Sequence, residues 1–370
     1  MKITDLTVTL FAWDDIPART FGKHTGTMAT GRSELGLVTI RTDDGIEGHA
    51  FLGSSMRGAN FDAATIPRYL KPLLMGQDPL DRERLYAAMW ARARNTNYRC
   101  IGAVDVALWD IAGKVANLPI HRLIGSYRDA VPAYASSAVL PSKEAYAEEA
   151  IAIRESGLTA YKIHPPAVWQ TDIELCRHVR KTVGDSYRLM LDSTWSYNYV
   201  EALRVGRAIE ALGYYWYEDP LDTDDITNYV KLRQKLDIPV MATEYAPGGF
   251  QAYAPWITMQ ATDFLRGDVA VKGGITPLLK TAHLAEAFHM NLEVHHGGNS
   301  LNNVANLHVI LAIPNTEYFE ILLPDSTQKY GLVEDLHADK SGMVRPPEGP
   351  GLGAKIDFDL IARKKTAVLT

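Results

Sequence analysis

Cysteine is scarce in this 370-residue chain: Cys100 and Cys176 stand 76 positions apart (176 − 100), with no CxxC or Cys/His cluster around either. That argues against a disulfide framework and a structural zinc, and makes a reducing cytoplasm the expected compartment. No window reaches the roughly 18 apolar residues a membrane span needs. The N-terminus, MKITDLTVTLF, alternates like a strand and lacks the apolar core of a signal peptide. Neither feature suggests a membrane partner. Basic runs are equally sparse. Arg363-Lys364-Lys365 is the only one, and 38 basic against 44 acidic residues leave a net charge of −6, which argues against a nucleic-acid partner. No GxGxxG opens a helix after the first strand and no GxxxxGK[ST] occurs, so the dinucleotide and P-loop signatures are missing. The remainder, 46% hydrophobic and 22% charged, is an ordinary globular composition with length for one barrel and a smaller partner.

The order of elements predicts two kinds of unit. Residues 2–12, 35–42 and 47–52 read as strands, the last two joined by a DDG turn at 43–45, and apolar periodicity over 65–74, 81–92 and 101–116 predicts helices. Residues 1–127 therefore form an α+β unit. Between its strands, residues 21–31 (FGKHTGTMATG) are rich in Gly and Thr without periodicity and predict a mobile loop. From residue 128 to about 340, eight strand-like runs alternate with amphipathic stretches: VPAYASSAV, TAYKIH, YRLMLDS, YYWYE, PVMATE, DFLRGD, NLEVHH and YFEIL. Eight such units over about 200 residues predict an α/β fold with a closed parallel barrel. The tail, 341–370, is expected to return to the N-terminal unit.

Three acidic residues, Asp192, Glu218 and Glu244, recur at equal intervals of 26 (218 − 192 and 244 − 218), each closing one of those runs. In a parallel βα repeat, that spacing brings the three carboxylates together at the strand C-termini. Such a cluster repels itself unless a cation neutralises it, and hard oxygen ligands without thiolate or an HxxxH pair favour Mg²⁺. Strand parity selects further residues. In TAYKIH, Lys162 and His164 share one face while the bulky Tyr161 and Ile163 suit the helix layer; in NLEVHH the same test turns His295 inward and makes it, rather than His296, the catalytic imidazole.

With these residues placed, the chain resembles the enolase superfamily, specifically the mandelate racemase branch and its acid-sugar dehydratases. The motifs are MLDST around Asp192, YEDP around Glu218, ATEY around Glu244, the Lys162-Ile163-His164 triplet and GDVAVKGGIT from Gly267. The resemblance spans nearly the whole chain. It implies a (β/α)7β barrel under an N-terminal capping domain, one Mg²⁺ per site on the three carboxylates, a small carboxylate substrate and a homo-oligomer. It further implies that Asp268 supports His295 and that Glu320, in YFEIL, carries a carboxyl group that hydrogen-bonds the enolate oxygen. Abstraction of a proton α to a carboxylate builds a doubly charged enediolate, so the site must neutralise charge as it forms. His164 replaces the second lysine of the family's common Lys-x-Lys pattern. As a better acid near neutrality than lysine, it favours dehydration, in which hydroxide must be helped to leave, over simple racemisation.

Other residues carry two readings each. Lys23 and His24, on the Gly/Thr-rich loop, are either exposed loop charges or a substrate clamp. His296 and Asn299, beside Gly297-Gly298, either line the mouth or serve the loop. The polar make-up of loops 21–31 and 53–58 suits a hydroxylated, anionic substrate, an aldonate or aldarate being the leading class. A racemase, epimerase or cycloisomerase on the same scaffold is the alternative; a non-catalytic barrel is disfavoured by the complete acid, base and metal set, and a zinc hydrolase by the lack of histidine metal ligands.

Overall fold

The computed structural model describes residues 1–23, 27–28 (backbone only), 31–245 and 248–370. The N-terminal unit is an antiparallel sheet built on β1 (Ile3–Ile16), β2 (Gly31–Thr42) and β3 (Glu47–Leu52). Gly45, at φ 78°, closes the tight turn between β2 and β3 as the DDG sequence predicts. The helix Tyr98–Ala116 packs across this sheet, capped by the Asn97 side chain at its start and by left-handed Asn117 at its end. Gly48 lets it approach closely, since a Cβ there would lie 2.1 Å from the Ala107 carbonyl oxygen.

The barrel strands follow the eight predicted runs: β4 (Val131–Ser136), β5 (Ala160–Ile163), β6 (Arg188–Asp192), β7 (Tyr217–Glu218), β8 (Val240–Met241), β9 (Phe264–Gly267), β10 (Asn291–Val294) and β11 (Phe319–Leu322). They pair in parallel from β4 to β10, and β11 pairs in parallel with β4. Between β10 and β11, a Leu292 N–H to Asn315 carbonyl bond of 2.8 Å nearly completes the circle. A short antiparallel strand, β12 (Met343–Val344), lies beside β4. The chain ends in β13 (Lys365–Leu369), antiparallel to β1, so its last strand lengthens the N-terminal sheet. Among the described residues, no helix is long and apolar enough to cross a membrane.

Period-two alternation sorts the barrel interior into layers. Tyr134, Ala160, Met190, Trp216, Met241 and Tyr318 form a buried apolar layer. Two residues further along four of those strands stand Ser136, Lys162, Asp192 and Glu218, and along β11 Glu320, all buried. The apolar plug holds the floor rigid while the charges above it face the cap.

The cap is fastened over this layer by buried polar and close contacts from the helix Tyr98–Ala116. Asp105 accepts hydrogen bonds from the Thr276 N–H (2.9 Å) and hydroxyl (2.7 Å), and Trp109 Nε1 donates to the same hydroxyl at 2.9 Å. A Cβ on Gly102 would stand 2.5 Å from the Val269 carbonyl oxygen.

Candidate active site

Lys162 is the hub of the charged layer. Its Nζ lies 2.9 Å from Asp192 Oδ2, 2.8 Å from Glu218 Oε2 and 2.9 Å from Glu320 Oε1, with no exposure to solvent. Burial disfavours an ammonium, but the three carboxylates more than offset it and hold Lys162 protonated well above its usual range. Asp192, despite its own burial, is held well below the carboxylate range by Lys162 and His164.

Arg266 is the residue that sequence reasoning missed. Wholly buried on β9, it places Nε 2.7 Å from Glu218 Oε1 and Nη2 2.6 Å from Glu320 Oε2. Glu320 therefore bridges two cations and also accepts the His296 backbone N–H at 2.9 Å. Burial alone would raise its pKa, yet Arg266 and Lys162 keep it well below the usual range. Glu320 thus stands as an acceptor between two cations.

The two imidazoles come from different strand ends, His164 just past β5 and His295 just past β10. His164 points Nδ1 at the Ser137 carbonyl (2.6 Å), which only accepts, so Nδ1 carries a proton and Nε2 is presented 3.0 Å from Asp192 Oδ2. His295 points Nδ1 at Asp268 Oδ2 (2.5 Å) and presents Nε2 3.2 Å from Glu244 Oε2. Asp268 is itself fixed by the Ala270 and Val271 N–H groups at 2.6 and 2.7 Å. Burial opposes charge on His295, but Glu244 and Asp268 lift its pKa to about 9. Asn306 Nδ2 donates to the His295 carbonyl at 3.1 Å and holds the backbone at this point.

Asp192, Glu218 and Glu244 supply hard oxygen donors suited to a small divalent cation. Glu218 Oε1 is paired with Arg266 by distance but is not aligned for a hydrogen bond, and Glu244 Oε2 stands likewise towards His295; both are buried acceptors without a hydrogen-bond donor. Burial, with the charges of Asp192 and Glu218 nearby, raises the Glu244 pKa to about 7, the signature of negative charge in need of a counter-ion. Among the described residues, however, no three such side chains already converge as a ligand set, because Lys162 stands between Asp192 and Glu218. The donor chemistry fits a cation, and side-chain rotation is needed to close on it.

A cavity of about 220 Å³ opens above these groups, with Lys162, His164, Asp192, Glu244, His295 and Glu320 on its floor. Its roof comes from Phe21 and Met56 of the cap, joined by Thr194, Trp195 and Tyr245 of the barrel loops and Leu322 at the end of β11. The loop carrying Phe21 is pinned to the barrel by Val139 N–H to the Thr20 carbonyl (2.8 Å) and by Lys23 N–H to Ser196 Oγ (3.1 Å).

The remaining sequence candidates fall elsewhere. The Lys23 side chain is exposed, and His24 lies outside the described residues. Asn299 caps the helix Ser300–Ala312 by accepting from Asn302 N–H and donates to the Phe51 and Gly53 carbonyls, joining barrel to cap. The His296 ring lies tilted against Phe319 at a centroid distance of 4.2 Å, and burial drives its pKa down to about 3.

A parallel barrel carrying carboxylates, a lysine and two imidazoles at its strand ends, beneath an α+β cap, defines an enzyme-type site built for charge developing on a small acid. Residues 145–360 match the enolase C-terminal domain-like family and residues 7–125 the N-terminal domain of the mandelate racemase / muconate lactonizing enzyme family; the chain belongs to this branch of the enolase superfamily. It is similar to the arabinonate dehydratase of Saccharolobus solfataricus, 29% identical over 87% of this chain and 88% of that protein. It is also similar to the D-galactarolactone cycloisomerase of Agrobacterium fabrum, 28% identical over 88% of this chain and 89% of that one. In structure it is similar to the D-glucarate dehydratase of Agrobacterium tumefaciens complexed with magnesium, at 36% identity and TM-score 0.88, covering 99% of this chain and 100% of the other.

Proposed function

We propose that the chain is a lyase, a Mg²⁺-dependent dehydratase that converts a sugar acid into its 2-keto-3-deoxy product. The observation that carries this reading is that two imidazoles, His164 and His295, present Nε2 to one cavity lined by a lysine and carboxylates. One takes the proton from the carbon next to the carboxylate; the other delivers a proton to the β-hydroxyl, which leaves as water, and the resulting enol becomes the ketone. Such an elimination takes a proton from one carbon and delivers one to the hydroxyl oxygen on the next, and two imidazoles facing one cavity can divide those two tasks. Mg²⁺, held by Asp192, Glu218 and Glu244, would supply Lewis-acid stabilisation of the charge developing on the substrate carboxylate. Lys162 adds a fixed positive charge beside the same group, and Glu320 and Arg266 hold Lys162 and Glu218 in place. Asp268 orients the His295 ring.

Incubation of the protein and Mg²⁺ with a library of aldonates and aldarates, scored for 2-keto-3-deoxy product by a carbonyl trap, tests this directly. Product from at least one acid, abolished by chelation, is the expected result; silence across the library sinks the proposal. The cycloisomerase among the similar proteins gives the second reading its weight. Deuterium entering the α-carbon from D₂O without loss of water would select that reaction or racemisation.

A further inference from the structure

The barrel helix Ile275–Ala287 opens at Gly274 without a capping side chain of its own and with no acid in its first turn. Its cap comes from the N-terminal unit. Asp105, wholly buried on the helix Tyr98–Ala116, accepts the Thr276 N–H on Oδ2 at 2.9 Å and the Thr276 hydroxyl on Oδ1 at 2.7 Å, so a carboxyl group of one domain closes the start of a helix in the other. Gly274 makes room for it: its φ is 119°, and a Cβ there would stand 2.2 Å from Asp105 Oδ2. The junction is braced on the cap side as well, where Trp109 Nε1 donates to the Thr276 hydroxyl at 2.9 Å and Arg82 lies over the Trp109 ring at 4.0 Å.

The turn that leads into this helix begins at Asp268, the partner of His295. Within it, Gly274 N–H donates to the Val269 carbonyl at 2.7 Å and Lys272 N–H to the Asp268 carbonyl at 3.1 Å, while the Ala270 and Val271 N–H groups close on Asp268 Oδ1. The other oxygen, Oδ2, meets His295 Nδ1 at 2.5 Å. One oxygen of Asp268 is therefore fixed by the turn, and the direction in which the second holds the imidazole follows from the turn's conformation. The cap helix also presses on this turn directly, since a Cβ on Gly102 would lie 2.5 Å from the Val269 carbonyl oxygen and 3.0 Å from Gly274 N. Asn306 ties turn and imidazole together, accepting the Val269 N–H at 3.0 Å and donating to the His295 carbonyl at 3.1 Å. A group that moves a proton to or from carbon loses rate steeply when it is misplaced, even by a change far from the chemistry. We propose, resting on the role given to His295 above, that Asp105 is a positioning residue: by capping the helix Ile275–Ala287 it fixes the turn 268–274, and through Asp268 it sets the orientation of His295.

The test compares Asp105→Asn and Thr276→Val with Glu83→Ala, which removes the exposed Lys280 ion pair elsewhere on the same contact between cap and barrel. Thr276→Val keeps the side-chain shape and the backbone N–H and loses only the hydroxyl, so it carries the test alone if Asp105→Asn does not fold. The first readout needs no substrate: the proton NMR signal of the His295 Nδ1–H in the Mg²⁺-loaded protein, identified by its loss in His295→Asn. It is expected to shift or broaden in Asp105→Asn and Thr276→Val and to stay in place in Glu83→Ala; a signal that neither of the first two moves overturns the inference. The second is turnover of the sugar acid that the unmodified protein uses best. There kcat should fall about 10- to 100-fold in Asp105→Asn and roughly 3- to 10-fold in Thr276→Val, with KM changed less than about threefold. Combination with Asp268→Ala separates positioning from general loosening: once Asp268 no longer holds the ring, Asp105→Asn should cost less than about twofold more. Full additivity with Asp268→Ala, or a change in KM alone, overturns the inference and leaves the dehydratase standing. With no turnover of any acid the dehydratase reading falls, and the NMR signal alone decides whether Asp105 sets the ring.

Discussion

The floor and the roof of the one cavity are built on opposite principles. On the floor, Lys162, Asp192, Glu218, Arg266 and Glu320 hold one another in a buried lattice of ion pairs above an apolar plug. The roof joins Phe21 and Met56 of two cap loops to Thr194, Trp195, Tyr245 and Leu322 of the barrel. Charge on the floor is dense and costly to disturb because each group is desolvated and partnered. Carbon on the roof interacts without direction and tolerates exchange. Loops mounted on a stable scaffold are where proteins commonly vary their binding surfaces.

The largest effect that would sharpen this contrast is on the floor. His295→Asn keeps a similar size but cannot exchange a proton, and kcat is expected to fall about 10²- to 10⁴-fold, with the protein still folded by circular dichroism; wild-type turnover in this variant would remove His295 from the chemistry. Arg266→Met should act on stability. It leaves Glu218 and Glu320 without their guanidinium, a loss of about 3–5 kcal/mol readable as a drop in thermal midpoint, and an unchanged midpoint would show that the lattice does not hold the floor. On the roof, Gly22 sits at φ +58°, and a Cβ there would meet Thr194 Cβ at 2.8 Å. Gly22→Ala should displace Phe21 and raise KM roughly 5- to 30-fold, as about 1–2 kcal/mol of backbone strain implies, with little change in kcat; the reverse split would place Gly22 with the chemistry.

The smallest expected effect concerns the joint between the two halves. His308 donates Nε2–H to the Leu352 carbonyl at 3.0 Å and stacks on His121, and burial depresses its pKa from 6.5 to about 4. The unfolded chain protonates this histidine first, so its neutral form contributes stability in full above about pH 6.5, and that contribution fades as pH falls towards 4. His308→Leu should flatten the midpoint-versus-pH curve over that window, a difference on the order of 1–3 kcal/mol; an unaltered slope would mean that other groups set the acid sensitivity.

The alternation in TAYKIH and NLEVHH was enough to turn Lys162, His164 and His295 inward, since side chains two apart on a strand share a face. The same rule applied to DFLRGD puts Arg266 in register with Asp268 and could have found it, but a lone arginine before an aspartate reads more readily as a surface pair. The roof was less legible. Among the described residues of its loops, Lys23 is exposed, Ser54 and Ser55 bind within the cap and Arg57 lines an adjoining chamber, while Phe21 and Met56 line the cavity. A loop has no period from which orientation can be read.

By itself, then, the sequence determined the alternating βα order, the equal spacing of Asp192, Glu218 and Glu244, and the inward face of each barrel strand, because these depend on local periodicity and on one repeating connection. Only the tertiary structure decided that Glu320 stands between two cations, that Lys162 occupies the space among the carboxylates, and that Phe21, Met56 and Leu322 meet at one cavity. Those depend on which side chains from distant strands and loops meet once water is excluded, and pairing across space leaves no period in the chain.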